Sequence, residues 1–406
     1  MKAKDTRAQN SSAPRIESIR VRNFRLLRDV HLKKLSSLAV FVGENGTGKS
    51  TFFRVFGFLK SALKNNVDIA LQEIGGYQEA AGRGHTDEPI IIELQFKVPI
   101  ASKKRRVTYY LKIGKAKDKK PVILREYLSY IQKGSSVYLM NFEEGNGYVI
   151  EDEGKQRSLN TSMRQKKISL DAPNILAIKG LGQFKPYKAA SVLRQLIENW
   201  HISDLHVTAA RQAVKAGYAE HLSKTGDNLP LVVQYLYDHQ RDVFDGILKK
   251  FQKRIPGMSK VKAYETEDGR VLLQFWDKSF NDPFSARHMS DGTIKMFAYL
   301  VLLHDPKPHP LLCVEEPENQ LYPDLMSILT EEFRDYGRRG GQVFVSTHSP
   351  DFMNEVAPEE AYLMNKKDGE SDIYSLSQNE QIIELIEGGD KLGYLWGQGL
   401  LEPEID

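Results

Sequence analysis

The spacing of hydrophobic positions changes several times in the first hundred residues, and each change predicts an element. Apolar and polar residues alternate over Arg15–Val21, which predicts a strand with one exposed face. Leu38–Val42 is apolar throughout, which predicts a strand buried on both faces. Apolar residues then recur at helical spacing from Phe52 to Leu59, and Ile90–Val98 resembles another strand.

The middle of the chain carries a less regular pattern. Val107–Ile113, Ser136–Met140 and Gly147–Ile150 are separated by turn residues and predict strands. Ala189–Trp200 and Leu229–Arg254 predict helices. No heptad repeat is sustained over several turns, so a long coiled-coil arm is not expected.

The last part of the chain predicts a strand–helix–strand unit of a parallel sheet. Leu311–Val314 and Gln342–Thr347 have the pattern of buried strands, and the helix Asp324–Arg338 lies between them. The pattern therefore divides the chain into four predicted parts: a flexible tail (1–14), the first part of a head domain (15–100), an insertion that is strand-rich and then helical (101–282), and the second part of the head (283–406).

A glycine-rich segment between the second strand and the first helix carries the clearest chemical signal. Gly43-Glu-Asn-Gly-Thr-Gly-Lys-Ser50 matches G-x-x-x-x-G-K-[ST] at every fixed position. Glycines let backbone N–H groups point at phosphate oxygens, and the following helix presents its positive end to them. We expect Lys49 to reach the β- and γ-phosphates and Ser50 to bind Mg²⁺. The predicted phosphate-binding residues are Gly43, Glu44, Asn45, Gly46, Thr47, Gly48, Lys49, Ser50 and Thr51.

Two adjacent acids end the apolar run Leu311–Val314. On a buried parallel strand they can lie only at the carboxyl edge of the sheet, where the glycine-rich loop holds its phosphates. We expect Glu315 to hold Mg²⁺ through a water molecule and Glu316 to orient and polarise the attacking water. The structural alternatives are an ion-paired loop and a helix cap formed by Glu-Pro-Glu.

Several segments of the second half resemble a known family. Glu315-Glu-Pro-Glu-Asn-Gln-Leu-Tyr-Pro323 resembles the extended Walker B segment of ABC-like AAA ATPases, which are related to SMC, RecF and OLD-type enzymes. His288-Met-Ser-Asp-Gly-Thr293 resembles their signature motif, and Ser346-Thr-His-Ser-Pro350 resembles their switch segment. Arg20–Arg25 resembles the opening strand of these heads, and Leu392–Gly399 is similar to a subgroup of bacterial stand-alone ATPases linked to anti-phage defence.

Three positions depart from the usual pattern of that family. Tyr322 stands where His is usual, Glu315 stands where Asp is commoner, and Met289 replaces Leu. Because Glu is one methylene longer than Asp, the Mg²⁺ contact of Glu315 is expected to be shifted.

The resemblance implies an α/β fold, a P-loop NTPase head of the ABC type with a mixed sheet flanked by helices and a β-plus-helical insertion. It implies that His348 contacts the γ-phosphate, and that Ser290 and the amide of Gly292 close over the ATP of a second copy. The expected assembly is thus an ATP-sandwiched homodimer. Gln95 is the expected Mg²⁺-sensing glutamine, with Gln183 as its competitor. The predicted catalytic residues are Glu316, His348 and Lys49, and the predicted metal ligands are Ser50, Glu315 and Gln95.

The function implied by the resemblance is an ATP-hydrolysing dimeric switch in defence or genome maintenance. In the subgroup such an ATPase controls a separately encoded effector, often a nuclease. About 60 residues follow His348, too few for an OLD-type nuclease domain, so the effector is expected on another chain. Double-stranded DNA is a further candidate partner. The alternatives are a slow-turnover ATP sensor and the ATP-binding subunit of a membrane transporter. The absence of a Leu-Ser-Gly-Gly-Gln signature disfavours the transporter subunit.

The amino-acid composition excludes few of these possible functions. The 57 Lys and Arg residues against 53 Asp and Glu residues give a net charge of +4, which by itself does not indicate nucleic-acid binding. The charge runs Lys103–Arg106 and Lys115–Lys120 fit either a nucleic-acid track or solvated loops. Cys313 is the single cysteine, which excludes a disulfide framework within the chain. No run of about 18 apolar residues is present, so we expect a cytoplasmic protein without a membrane partner.

Overall fold

The computed structural model describes residues 14–100, 103–150 and 165–401. Residues 1–13 of the predicted tail lie outside the described residues, as do 151–164 of the predicted insertion. The described residues form two compact units. Unit 1 comprises the described parts of Met1–Ser37, Arg54–Trp200 and Gly337–Gln342, and unit 2 comprises those of Leu38–Phe53, His201–Tyr336 and Val343–Asp406.

The described residues contain eighteen strands and thirteen α-helices. The strands are β1 (Ile16–Phe24), β2 (Leu27–Lys33), β3 (Leu38–Val42), β4 (Ile90–Ile100), β5 (Lys103–Lys115), β6 (Pro121–Gln132), β7 (Ser135–Glu143), β8 (Asn146–Ile150), β9 (Gln165–Ser169), β10 (His201–Ser203), β11 (Val214–Lys215), β12 (Met258–Glu265), β13 (Arg270–Asp277), β14 (Phe284–Ser285), β15 (Leu312–Glu315), β16 (Val343–Thr347), β17 (Ala361–Lys367) and β18 (Glu370–Ser375). The helices are α1 (Lys49–Lys64), α2 (Val67–Gln72), α3 (Tyr77–Ala80), α4 (Ala177–Leu181), α5 (Lys188–Glu198), α6 (Val207–Ala210), α7 (Leu229–His239), α8 (Arg241–Arg254), α9 (Asp291–Leu303), α10 (Asp324–Arg338), α11 (Pro350–Met353), α12 (Glu380–Glu387) and α13 (Leu392–Gly397).

Unit 1 is organised around a sheet in the order β2-β1-β4-β5-β6-β7-β8-β9, in which every described neighbour pair is antiparallel. Buried and more exposed residues alternate along β4, as expected for strands with one face on the core. Strands β1, β2 and β4 of the predicted segment 15–100 pair in this sheet with β5–β9 of the predicted insertion. The predicted division of the chain into domains stays a prediction.

Unit 2 is organised around a sheet in the order β10-β15-β16-β3-β17-β18. The first five strands are parallel, and β18 pairs antiparallel with β17. Every residue of β3 and β16 is buried, which explains the continuous apolar run of β3 and the apolar start of β16. Their carboxyl ends therefore meet at one edge of the sheet. A second sheet of unit 2 has the order β11-β13-β12, with β14 paired to β13.

Most of the predicted elements are present, and two predictions are wrong. The predicted helix Leu229–Arg254 is two helices, α7 and α8, because Gln240 between them has non-helical angles of φ −136° and ψ 51°. Lys103–Arg106 is not a loop but the start of β5, although most of its side chains are exposed. No helix among the described residues is long and apolar enough to cross a membrane.

Candidate nucleotide site

The glycine-rich loop lies between the carboxyl end of β3 and the start of α1, both in unit 2. At Gly43 a Cβ atom would lie 2.4 Å from the carbonyl oxygen of Met364, and Gly48 has a φ of 101°. Only glycine fits both positions without strain. The loop is held by Thr47, whose hydroxyl donates to the carbonyl of Glu44 at 2.8 Å. The result is a rigid backbone cradle at a helix N-terminus, which is the structure that binds phosphate groups.

The side chain of Lys49 is folded into this cradle. Lys49 is 6% exposed, and its ammonium group donates to the carbonyl oxygens of Gly43 and Glu44. Burial lowers the pKa of Lys49, while Glu316 and Glu318 oppose that shift. A cation held on the loop in this way is available to phosphate oxygens.

Ser50 and Glu315 are brought together although they are far apart in sequence. The Ser50 hydroxyl donates to Glu315 Oε2 at 2.8 Å. Ser50 lies in the first turn of α1, and Glu315 ends β15, which is two strands away from β3 in the same sheet. A hydroxyl and a carboxylate oxygen in contact are suitable ligands for Mg²⁺, which prefers oxygen. These two residues therefore fit the predicted ion, and their role as ligands stays a prediction.

Glu316 adopts an uncommon backbone conformation directly after β15. Its φ is 44°, in the left-handed region, and its N–H donates to the carbonyl of Ser346 at 2.9 Å. Its Oε2 accepts a hydrogen bond of 2.8 Å from the amide of Asn319, and its Oε1 lies 3.4 Å from His348 Nδ1. Strained backbone of this kind concentrates at functional sites, where it directs a side chain.

Glu318 fixes the switch segment, a role that the sequence did not predict. It is 9% exposed, and its Oε1 accepts hydrogen bonds from Thr347 Oγ1 at 2.6 Å and from His348 N at 3.0 Å. His348 Nδ1 also lies 3.6 Å from this carboxylate. The third acid of the Glu-Glu-Pro-Glu segment thus positions the backbone of His348. Its position two residues after Glu316 was the available signal.

Lys295 is a second residue that the sequence did not single out. It lies on α9 and is 4% exposed, and its ammonium group donates to the carbonyl of Asn319 at 2.6 Å and lies 3.4 Å from that of Glu316. Burial lowers the pKa of Lys295 to about 8, against the opposing effect of nearby acids, Glu318 first. Lys295 therefore ties the signature helix to the loop that carries Glu316.

An open cleft of about 580 Å³ lies beside the proposed Mg²⁺ ligands and Glu316. It is lined by Ser50, Lys295, Glu315, Glu316 and Asn319, together with Gln320 and the segment Asp204–Thr208 that follows β10. Because the cleft lies at the carboxyl ends of parallel strands, it occupies the position where α/β sheets bind their ligands.

The signature segment begins α9. The exposed Ser290 is the N-cap, and its Oγ accepts from Thr293 N at 3.3 Å. Arg211 donates to the carbonyl of Met289 and to the carboxylate of Asp291. Arg211 therefore forms an ion pair with Asp291 that holds the signature segment in place.

Two predicted metal-sensing residues lie in unit 1. Gln95 is on β4, opposite Ser18 of β1 and Thr108 of β5. Gln183 is exposed after α4 and donates to the carbonyl of Lys179 at 3.2 Å. The metal role of either residue stays a prediction, as do the roles of Ser290 and Gly292 toward a partner.

The glycine-rich loop, the acids at the end of β15 and the parallel sheet define a P-loop NTPase head of the ABC-like type. A family model described as "AAA domain, putative AbiEii toxin, Type IV TA system" matches residues 38–354, and the chain belongs to that family. The predicted family and fold class are thereby confirmed: this is an ABC-like AAA ATPase head with an α/β fold.

The fold is also similar to solved SMC heads. The structure described as "the SmcHead bound to the C-winged helix domain of ScpA" is 14% identical, with 90% of this chain and 99% of that chain covered at a TM-score of 0.53. An Smc head domain derived from Pyrococcus furiosus is 13% identical, with 92% and 100% covered at a TM-score of 0.49, too low to add support. A search of curated proteins found no match.

Proposed function

We propose that this chain binds ATP with Mg²⁺ and hydrolyses it, and that it works as a dimeric switch. The observation that carries the proposal is the convergence of Ser50, Glu315 and Glu316 in one cleft, beside a loop that carries Lys49. Family membership supports the same activity.

Each group has a distinct chemical task in this proposal. Lys49 and the loop amides bind the phosphates, and Ser50 and Glu315 hold Mg²⁺, which would neutralise charge on the phosphate oxygens. Glu316 orients the attacking water and accepts its proton. His348, positioned by Glu318, contacts the γ-phosphate.

The proposed dimer places the signature segment of one copy over the ATP of the other. Ser290 is exposed at the N-cap of α9, so its hydroxyl is accessible to an anion on a second chain, and Gly292 lies in the first turn of the same helix. ATP would then favour the closed dimer because it is bound by both copies at once, and hydrolysis would release it.

Exchange of Glu316 for Gln tests the catalytic assignment. Glu316→Gln keeps an oxygen that can accept the hydrogen bond from the Asn319 amide but removes the carboxylate base. We therefore expect ATP binding to persist, phosphate release to stop, and an ATP-bound dimer to accumulate. Phosphate release and light scattering after size exclusion measure these outcomes. Glu265→Gln, at an exposed position of β12, is the matched control. Wild-type turnover in Glu316→Gln would show that the assignment is wrong.

The proposed biological role is control of a separately encoded effector, commonly a nuclease, with DNA as a further ligand. The SMC head with 14% identity is described as bound to a domain of ScpA, so a head of this fold can take a protein partner. Co-purification with the products of neighbouring genes, with phosphate release measured with and without DNA, tests this role. A homodimer that takes no partner and no DNA would count against it, and tight ATP binding with negligible turnover would indicate an ATP sensor.

A further inference from the structure

A second group of ligand-type side chains lies in unit 2, away from the Mg²⁺ residues. Donor atoms of His221, Asp305 and His309 all lie within 4.8 Å of one another. His309 precedes β15, and its ring stacks on that of His201, the first residue of β10. The group therefore lies at the amino ends of β10 and β15, whereas Glu315 lies at the carboxyl end of β15.

Asp305 is the buried centre of this group. Its side chain is 5% exposed, and its Oδ2 lies 2.6 Å from His221 Nδ1. Its Oδ1 accepts a hydrogen bond of 2.8 Å from the backbone N–H of Lys307. One oxygen is thus fixed by the backbone, and the other contacts His221. A buried carboxylate is stable only when a positive charge or several donors compensate it.

The imidazole rings are held in fixed orientations. The rings of His201 and His309 are stacked, with centroids 4.7 Å apart and an interplanar angle of 18°. The ring of His221 lies 5.3 Å from that of His309. Rings whose orientation is set by neighbours lose little freedom when they bind a metal ion, which favours binding.

We propose that His221, Asp305 and His309 form a binding site for a divalent transition-metal ion of the zinc class. Two imidazoles and one carboxylate are ligands that such ions prefer, whereas Mg²⁺ prefers oxygen. Zn–N distances near 2.0 Å put the ligand atoms of a tetrahedral site about 3.3 Å apart. The three ligand atoms already lie within 4.8 Å of one another and reach that spacing by small movements, with the 2.6 Å contact between His221 and Asp305 opening. A water molecule completes the coordination.

The consequence of this site is a link between separate segments of unit 2. His221 lies between β11 and α7, whereas Asp305 and His309 lie in the connection from α9 to β15. Because α9 begins directly after the signature residue Ser290 and ends at Leu303, the ion would anchor the far end of the signature helix. Binding of an ion by the folded state alone raises its stability.

The test uses the full-length chain after removal of metal by a chelator, with excess Mg²⁺ present to occupy the oxygen-ligand site. Titration with Zn²⁺ followed by calorimetry, and with Co²⁺ followed by its visible absorption, should show one equivalent bound. His221→Ala and His309→Ala should each weaken binding by about 100-fold or more, since even outer partners of metal ligands contribute about 10- to 100-fold. His239→Ala, whose ring stacks on Tyr235, is the matched control and should bind as wild type.

A second measurement separates loss of the site from loss of the fold. The side chain of His221 is 40% exposed, so His221→Ala should fold, although loss of the contact to buried Asp305 should lower its melting temperature without metal. The deciding readout is therefore the shift in melting temperature that Zn²⁺ causes in each variant. Zn²⁺ should raise the melting temperature of the wild type and of His239→Ala but not that of His221→Ala. Absence of stoichiometric uptake by the wild type, or equal uptake by His221→Ala and His309→Ala, would overturn the proposal.

Discussion

The Ser50 hydroxyl donates to Glu315 Oε2 at 2.8 Å, across 265 positions of sequence. The contact exists because β3 and β15 flank β16 in one parallel sheet, so that the residues after both strands meet at the same edge. Neither residue would be near the other in an unfolded chain. The fold therefore assembles the proposed Mg²⁺ ligands from the two ends of the head.

The first prediction concerns this pair. Ser50→Ala and Glu315→Gln should each lower ATP affinity in the presence of Mg²⁺ by about 10- to 100-fold. Ser50→Ala removes an oxygen ligand of the ion, and Glu315→Gln removes the charge of one. Loss of a residue that only supports a metal ligand already costs about that much, so loss of a ligand should cost no less. Affinity without Mg²⁺ should change little. The double variant should be only slightly worse than either single variant, since coupled residues are not additive.

Calorimetric titration of ATP with and without Mg²⁺ checks this expectation. Ser61→Ala, on the same helix α1, is the control for loss of a helical hydroxyl. Equal loss of affinity with and without Mg²⁺ would assign Ser50 and Glu315 to the loop structure rather than to the ion.

The strand and loop residues of the site were predictable from local pattern. Leu38–Val42 is apolar because β3 is buried on both faces, and the glycines of the next segment have backbone requirements that only glycine meets. Those constraints are local, so the sequence shows them. They are also sufficient to predict which edge of the sheet carries the site.

Other features depend on contacts between distant segments and were not predictable. No glycine or proline marks the break at Gln240, and Lys295 has the position of a core residue on an apolar helix. Its function as a donor to the loop after β15 follows only from the packing of α9. The same holds for Glu318, whose partners Thr347 and His348 lie on another strand and the loop after it.

The second prediction concerns Lys295. Lys295→Met keeps much of the side-chain volume but removes the donor to Asn319 and Glu316, so Glu316 should lose its fixed orientation. Turnover should fall by about tenfold or more, because misplacement of a catalytic group by about 1 Å is sufficient for a loss up to 100-fold. The affinity for ATP should change by less than about threefold, since Lys295 is not among the groups proposed to bind phosphate.

The measurement is steady-state ATP hydrolysis, with kcat and KM determined separately. Lys262→Met, at an exposed position of β12, removes a lysine that does not line the cleft. A rise in KM with unchanged kcat would indicate that Lys295 binds substrate and does not position Glu316.

The third prediction concerns Glu126, which is 1% exposed in unit 1. Burial raises the pKa of Glu126 to about 7, although the N–H groups of Ala177 and Ile178 and the hydroxyl of Tyr109 oppose the shift. The folded state therefore holds a proton that the unfolded state, with its ordinary pKa near 4.5, has released. Stability should fall as the pH rises from about 4.5 to 7, by roughly 3 kcal/mol, and change no further from this group at higher pH.

Glu126→Gln tests that dependence because it removes the titrating group and keeps an acceptor for α4. Its stability relative to the wild type should be higher at pH 8 than at pH 5, as measured by the unfolding of unit 1 in urea. Glu143→Gln, on the exposed part of β7, should show no such trend. If the difference in stability between Glu126→Gln and the wild type is independent of pH, the pKa of Glu126 is not raised.

The last prediction concerns Glu332, which is 2% exposed and contacts Lys250, Arg254 and His304. Burial opposes its charge, but the side-chain hydrogen bonds from His304 and Lys250 outweigh burial and lower the pKa of Glu332 to about 2. Its contribution to stability is present above its ordinary pKa near 4.5 and is lost as the pH falls toward 2. Glu332→Gln leaves Lys250 and Arg254 without a counter-charge, so unit 2 should lose about 3–5 kcal/mol at pH 7. Glu331→Gln, at the neighbouring exposed position, should cost less than about 1 kcal/mol. Urea unfolding followed by a probe in unit 2 checks both, and equal midpoints for the two variants would show that this buried cluster does not stabilise the fold.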